Sequence, residues 1–492
     1  MNPDRNRLNP GLAALLAAAG VFGFSLPVQG AAETPPTAVG ADNPEPGLQG
    51  QTLPGEAKVL ERPYSKGVRV IGHSPVEGRD SNIQMTWAGH CAYISSTAPK
   101  SLGWGVTADP STFGVAVIDV SDPHAPKQVG LLRDRAVLYA SETLHAVSAP
   151  GRNVLVAGSY GAKDDQAFTD IYDVTDCAHP KLAAEWKWPQ SVHTLTLSPN
   201  GKHLYGTIIS PFDGRGGIAV ADITDLAHPR LIGKFAATRP DGTSYEFAAH
   251  EISISPDERR IYAGVIGSKG GDLNKGVTTS FPSLETFGPD AGGIYIFDNS
   301  DIALGKPDPK MRLIGMAEHG GWHSVMRANI KGVPHLVGGT EGMHCPGTWP
   351  KIVNIADETK PYIDGEVRLA MNKPENCPPM SATEKATRGV VPDPGTATLH
   401  FNDVDSATDT HMGLFNFMWA GLRIIDIRDP AKPKEVAYFK PGDGCSGHVR
   451  YLPETGQIWL SCGASGFYVL ELKPEVRSSL GLPPRRSAIA GR

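Results

Sequence analysis

Seven histidines recur at one point of a repeated segment. The copies are GHCAYIS at His90, LHAVSAP at His145, VHTLTLSPNG at His193, AHEISISPDE at His250, WHSVMRAN at His323, LHFNDVD at His400 and GHVRYLPETG at His448. Neutral imidazole is a ligand for Zn, Cu, Fe and Ni. If the seven copies face a common axis, three or four of them can surround one divalent ion at about 2.0–2.2 Å. An ion left with an open position can work as a Lewis acid or a redox centre. The competing reading is that the imidazoles only hydrogen-bond neighbouring backbone, since duplicated units inherit residues together. The residues flanking each histidine differ widely among the seven segments while the histidine stays, which favours a shared chemical role. Four carboxylates lie close to these histidines in sequence: Glu142, Glu246, Glu251 and Asp403. A carboxylate there could accept the second imidazole N–H and so orient a ligand, but the ordinary expectation for each is a surface charge or turn residue.

A repeated β-unit would bring such residues together. Downstream of most histidines an apolar run ends in Asp, followed by a polar turn and Pro: GVAVIDVSDPHAP, DIYDVTDCAHP, GIAVADITDLAHP, GIYIFDNSD, KIVNIADETKP and GLRIIDIRDPAKP, with a degenerate GFYVLELKP in the last unit. Asp and Ser/Thr side chains can hydrogen-bond the turn backbone, and Pro fixes the exit. A further short strand such as KQVGLL follows, giving about four strands per unit. The histidines lie 55, 48, 57, 73, 77 and 48 residues apart, and four-stranded units at such spacing are blades of a propeller. The expected fold is therefore all-β, a seven-bladed β-propeller over residues 61–477. The seventh unit lacks a fourth strand, and GVRVIGHSP from Gly67 is expected to supply it, closing the ring and removing an exposed sheet edge. Insertions at 268–291, 340–350 and 371–395 are expected to form loops on one face.

The motif at GVAVIDVSDPHAP and GLRIIDIRDPAKP resembles the LVIVD-repeat family of exported bacterial and archaeal propellers. The resemblance runs over roughly residues 67–475 and is looser in units four, five and seven. It implies a propeller in an extracytoplasmic setting and says little about chemistry.

Arg5 and Arg7 precede an apolar stretch from Leu12 to Val28, with small residues at Gly30 and Ala31. This reads as a cleaved signal peptide over residues 1–30. No Cys marks a lipoprotein site, and Asn6 separates the arginines that a twin-Arg signal needs adjacent. A disordered lead-in at 31–60 and a flexible tail at 478–492 are expected from composition. A periplasmic or secreted protein can hold disulfides. Among the six cysteines, Cys445 and Cys462 flank a hairpin signature and Cys345 and Cys377 flank an insertion, and either pair could be bridged. Cys91 reads as a plain buried thiol. His344 sits beside Cys345 in an insertion, His411 on a second strand, and His124, His179 and His228 in the exposed turns.

The net charge of −6 gives no sign of nucleic-acid binding or of an anionic membrane partner. No GxSxG elbow, phosphate-binding GxxxxGK[ST] loop or HExxH motif occurs. The expected function is an exported metalloprotein holding copper, iron or zinc on the propeller axis, with oxidoreductase chemistry on a small-molecule substrate. The alternative is a non-catalytic propeller that binds an extracytoplasmic protein or glycan through its face loops. Neither reading includes a stable membrane anchor.

Overall fold

The computed structural model describes residues 42–45, 63–76, 79, 82–96, 110–160, 164–208, 216–238, 240–242, 244–245, 247–268, 292–318, 322–339, 349–376, 399–417, 420–441, 445, 447–463 and 465–483. The predicted signal peptide, most of the lead-in, Glu246, His344, Cys345, Cys377 and the greater part of the three insertions lie outside them.

Seven sheets follow one another in chain order, antiparallel but for the short strand Ala237–Thr238, which pairs parallel with Arg312–Glu318 at the edge of the fourth. Blade 1 spans Asn82–Leu132, blade 2 Leu144–Lys187, blade 3 Leu195–Phe235, blade 4 Phe247–Glu318, blade 5 Ser324–Glu366, blade 6 Leu399–Pro441 and blade 7 Val449–Leu472. The fold is a seven-bladed β-propeller. The outermost strand of blade 7 is Val68–Ser74, paired antiparallel with Gly466–Leu472. Pro63–Lys66 adds a fifth strand to blade 6 beside Lys434–Pro441. The only α-helices among the described residues are Ser300–Ala303 and Pro474–Ser479.

The repeated motif explains the blade. Its third strand, VAVID in blade 1 and GIAVAD in blade 3, is buried up to the terminal Asp. Neighbouring blades cover both faces, so these strands read as continuous apolar runs rather than as alternation. The closing Asp accepts the backbone N–H two residues on: Asp119 from Ser121 at 2.8 Å, Asp173 from Thr175 at 2.8 Å, Asp222 from Thr224 at 2.8 Å, Asp298 from Ser300 at 2.9 Å and Asp426 from Arg428 at 3.1 Å. Blade 5 uses Asn354 for the same bond, to Ala356 at 3.0 Å. Blade 7 has Glu471 there instead, held by Arg69 of the closing strand at 2.6 and 2.9 Å.

A glycine in the fourth strand lets the next blade approach. A Cβ on Gly72, Gly315 or Gly365 would lie 2.0, 2.0 or 1.7 Å from the carbonyl oxygen of Pro123, Glu358 or Pro430 respectively, each in the motif turn of the following blade. The blades thus interlock backbone to backbone, around cores shared by adjacent sheets.

Two expectations change. Cys91 is not a free thiol but is bonded to Cys177 across blades 1 and 2, because the motif turn of blade 2 folds onto the start of the second strand of blade 1. The second described disulfide is Cys445–Cys462. The first unit is also displaced: its inner strand is Asn82–Ala88, and His90 lies in the turn beyond it, with Ala88 paired to Cys91.

The fourth-strand glycines make a graded test. Gly365→Ala should destabilise the fold by about 1–3 kcal/mol through overpacking. Gly130→Ala, at the matching place in blade 1 with its nearest atom 3.6 Å away, should be close to neutral. Urea unfolding of the two variants measures the difference; equal effects would show that interblade approach does not select glycine.

Candidate metal centre

Hydrogen-bond register identifies the residue that each blade sends toward the axis. In blade 3, Thr207 N donates to Thr194 O at 3.0 Å, and His193 comes just before Thr194. In blade 2, Gly158 N donates to Thr143 O at 2.8 Å, so Glu142 holds the place of His193. In blade 5 Ser324 pairs with Gly339, and in blade 6 Phe401 pairs with Asn416, putting His323 and His400 at the same step. His250 follows Ala249, which pairs with Val265 in blade 4, in a bulged stretch. Residues from five consecutive blades meet there, which is possible only at the centre of the ring.

Glu142 is fully buried among the four imidazoles. Its Oε2 lies 3.7 Å from His193 Nε2, 3.5 Å from His250 Nε2 and 3.8 Å from His323 Nε2, and its Oε1 lies 3.6 Å from His400 Nε2. His193 Nε2 and His250 Nε2 are 2.7 Å apart. Neither oxygen of Glu142 receives a hydrogen bond from a described residue. Two triads share this carboxylate, Glu142 with His193 and His250, and Glu142 with His323 and His400; in each, the ligand atoms lie within 4.8 Å of one another. Ligands at about 2.1 Å from one ion stand roughly 3.0–3.5 Å apart, so the cluster has the donor types and nearly the spacing of a metal site. It could hold a metal.

The frame around these donors is rigid. Thr194 Oγ1 and Thr207 Oγ1 of blade 3 both donate to His250 O, at 2.5 and 2.8 Å. Glu251 N donates to His323 O at 3.2 Å. Phe401 packs on His400, His448 and His323 with ring centroids 4.0, 4.3 and 5.2 Å apart, and Tyr160 lies 4.9 Å from His193. Ser141 is held at φ 36°, a left-handed conformation unusual for a side-chain-bearing residue, and Ser95 Oγ of blade 1 donates to its carbonyl. Such strain persists where the surroundings enforce it, and here it delivers Glu142 to the centre. Burial pulls His193 down to about 4 even though the Glu142 charge opposes the shift. Burial and the neighbouring imidazoles push His250 and His323 well below the usual range. The rings are therefore neutral at ordinary pH, as metal ligands must be.

Four of the seven predicted histidines meet, and three do not. His90 is more than half exposed in its turn and far in register from the axial position. His145 lies three residues past Glu142 and accepts Leu197 N at 3.3 Å through Nδ1; burial, with help from Arg450, lowers its pKa to about 3. His448 is one residue too late. Its N–H donates to Ser461 Oγ at 2.8 Å, as Thr194 N–H donates to Thr207 Oγ1 at 3.0 Å and Gln84 N–H to Ser95 Oγ at 3.2 Å. The axial positions of blades 7 and 1 thus fall to Gly447 and Ile83. His448 Nδ1 instead donates to Met85 O at 2.7 Å.

Glu142 was legible only as a neighbour of histidine, because the repeats were aligned on His. The signal that finds it is Glu142-Thr143-Leu144 laid on His193-Thr194-Leu195. Glu251 and Asp403 also turn inward, as a half-buried charge layer facing Arg450. Asp403 Oδ2 accepts Tyr451 N at 2.8 Å, and burial raises Glu251 to about 7. His411 is tied to Asp405 at 3.0 Å in the blade 6 hairpin, and His179 and His228 are exposed beside Asp176 and Asp225.

Residues 417–440 match the family model for the LVIVD repeat. With the seven blades, this match supports an LVIVD-repeat propeller family. No curated protein matches the chain in sequence. Among solved structures, hydrazine synthase from Kuenenia stuttgartiensis is similar at 13% identity over 80% of this chain and 95% of its own, with TM-score 0.49. The Cps50 (Swd1) β-propeller domain of Myceliophteria thermophila is similar at 10% identity, over 84% and 100%, with TM-score 0.47. The periplasmic gluconolactonase PpgL of Pseudomonas aeruginosa is similar at 11% identity, over 74% and 88%, with TM-score 0.48.

An uncompensated buried carboxylate is costly to folding. In protein stripped of metal by a chelator, Glu142→Gln should raise stability by about 1–3 kcal/mol, the usual cost of an unsatisfied buried polar group. Urea unfolding reads this, and a loss of stability would mean that the carboxylate is already neutralised by an imidazolium.

Proposed function

We propose that the protein is an exported metalloprotein that binds one transition-metal ion through Glu142, His193, His250, His323 and His400, and that it is an oxidoreductase. One observation carries the proposal. Glu142, fully buried and without a hydrogen bond from a described residue, faces four imidazole nitrogens at 3.5–3.8 Å. A cation supplies what this arrangement lacks, since a buried anion is stable only when paired or coordinated. Four imidazoles with one carboxylate suit iron, copper or zinc better than calcium or magnesium, which prefer all-oxygen sites.

The chain's own residues bind the ion, hold the rings and exclude water. Phe401 fixes His400, and the Thr194 and Thr207 hydroxyls fix His250 through its backbone. Such a centre would supply Lewis-acid or redox chemistry to a bound small molecule. The described strands Arg260–Ser268 and Val333–Gly339 both end at the face where the axial residues sit. On this reading substrate enters from that face, with the half-buried Arg450, Glu251 and Asp403 further along the axis on the other side. Export is supported by the two described disulfides, and no helix among the described residues is long and apolar enough to cross a membrane.

The mature protein, purified without a histidine tag from metal-supplemented medium, should contain about one transition-metal ion per chain by elemental analysis. His193→Ala/His250→Ala should stay folded and lose it. A folded, metal-free wild type, or a double variant that keeps full metal content, would overturn the proposal.

A further inference from the structure

The corner where His90 lies holds a second set of donors, separate from the axial cluster. His90 Nε2 is 3.5 Å from Cys177 Sγ and 3.7 Å from Asp119 Oδ1. His90 Nε2 and the sulfurs of Cys91 and Cys177 lie within 4.8 Å of one another. In the structure the two sulfurs are joined as a disulfide. We propose that a dithiol reductant converts this corner into a zinc-class metal site whose ligands are Cys91, Cys177, His90 and Asp119.

The geometry fits with one bond broken. In a tetrahedral zinc site with Zn–S about 2.3 Å and Zn–N about 2.05 Å, sulfur and nitrogen stand roughly 3.6 Å apart and nitrogen and oxygen roughly 3.4 Å. The His90–Cys177 and His90–Asp119 separations already lie close to these values. The sulfurs must separate to about 3.8 Å, and the Asp119 carboxylate, which lies outside the mutually close group of His90, Cys91 and Cys177, must turn toward them; side-chain rotation at the two cysteines and Asp119 can supply both. The backbone holding the donors does not depend on the disulfide. Cys91 is paired in register with Asp119, Val120 N donates to His90 O at 2.9 Å, and Tyr93 OH donates to Cys177 O at 2.8 Å. Asp119 is oriented by Ser121 N. His90 is 56% exposed and Asp119 31%, so an ion can reach the corner from solvent, and Cys177 is the more exposed of the two sulfurs.

The step balances. The dithiol's sulfurs join to each other, and its two hydrogens pass to Cys91 and Cys177 as their S–S bond breaks. Binding of the divalent ion then releases those two protons, because thiolate is the ligand. Two thiolates, an imidazole and a carboxylate form a donor set that favours zinc. The metal would replace the covalent tie between blades 1 and 2.

Cobalt(II) is the probe, because thiolate–cobalt charge transfer absorbs in the near ultraviolet and the sulfur-free axial cluster cannot produce it. The full-length protein would be reduced with a dithiol, freed of reductant without air, checked for fold by circular dichroism and titrated with cobalt. The expected result is a thiolate–cobalt band at about one ion per chain that is absent before reduction and bleached by zinc. Cys177→Ser should abolish it, and His90→Ala, which leaves the disulfide intact for folding, should weaken cobalt binding at least about tenfold. Cys445→Ser/Cys462→Ser and Glu142→Gln should leave it unchanged. A folded, reduced wild type with no such band, or a band indifferent to His90→Ala, would overturn the proposal.

Discussion

A carboxylate without a hydrogen bond sits at the centre of the propeller, and much of the surrounding structure serves to keep it there. Water would solvate Glu142 far better than a buried ring of imidazoles does. The fold nonetheless delivers it, through a strained Ser141 whose carbonyl is held by Ser95 of the preceding blade. His250 and His323 are set by similar cross-blade bonds, with Thr194 and Thr207 of blade 3 gripping His250 of blade 4 and Glu251 of blade 4 donating to His323 O of blade 5. A site built from five blades therefore depends on interblade contacts more than on any one sheet.

Those contacts are backbone-close. Glycines at 72, 315 and 365 admit the motif turn of the next blade against the strand itself. The Asp that ends the third strand in five blades, and Asn354 in blade 5, shape that same turn. One repeated motif thus does two jobs: it ends a strand locally, and it presents a rigid corner for the next blade to pack on. Blade 7 lacks the Asp and is completed by Val68–Ser74, with the Arg69–Glu471 pair standing where the turn bond would be.

Equivalent positions are not filled equivalently. The axial step carries Ile83, Glu142, His193, His250, His323, His400 and Gly447, so polar donors come from five adjacent blades, while the remaining two contribute an apolar side chain and none. Ile83 packs with Phe401, which in turn braces the imidazoles. Further along the axis come Arg450, Glu251 and Asp403, whose charges offset one another in a half-buried layer. A pseudosymmetric scaffold thereby holds an asymmetric interior, with donors for a cation at one level and balanced charge at another.

The fold class was legible in the chain because the Asp-turn-Pro motif and the strand count recur at blade spacing, and local hydrogen bonding forces the same turn each time. Four of the axial histidines were legible for the same reason. His145 and His448 were not separable from them, since a shift of three residues or one changes little in local pattern but turns a side chain away from the axis, and His90 misled because it stands seven residues past Ile83, in the turn beyond the inner strand. Glu142 was visible only as a neighbour, because its role comes from register with Thr143 rather than from its residue type. The joining of Cys91 to Cys177 was likewise beyond sequence reading, as those cysteines lie 86 residues apart and meet only when blade 2 folds its turn onto blade 1. The sequence determined the repeat and its chemistry-bearing residues, through local periodicity and turn chemistry. Which of them meet was decided by ring closure, through strand register and the packing of one blade on the next.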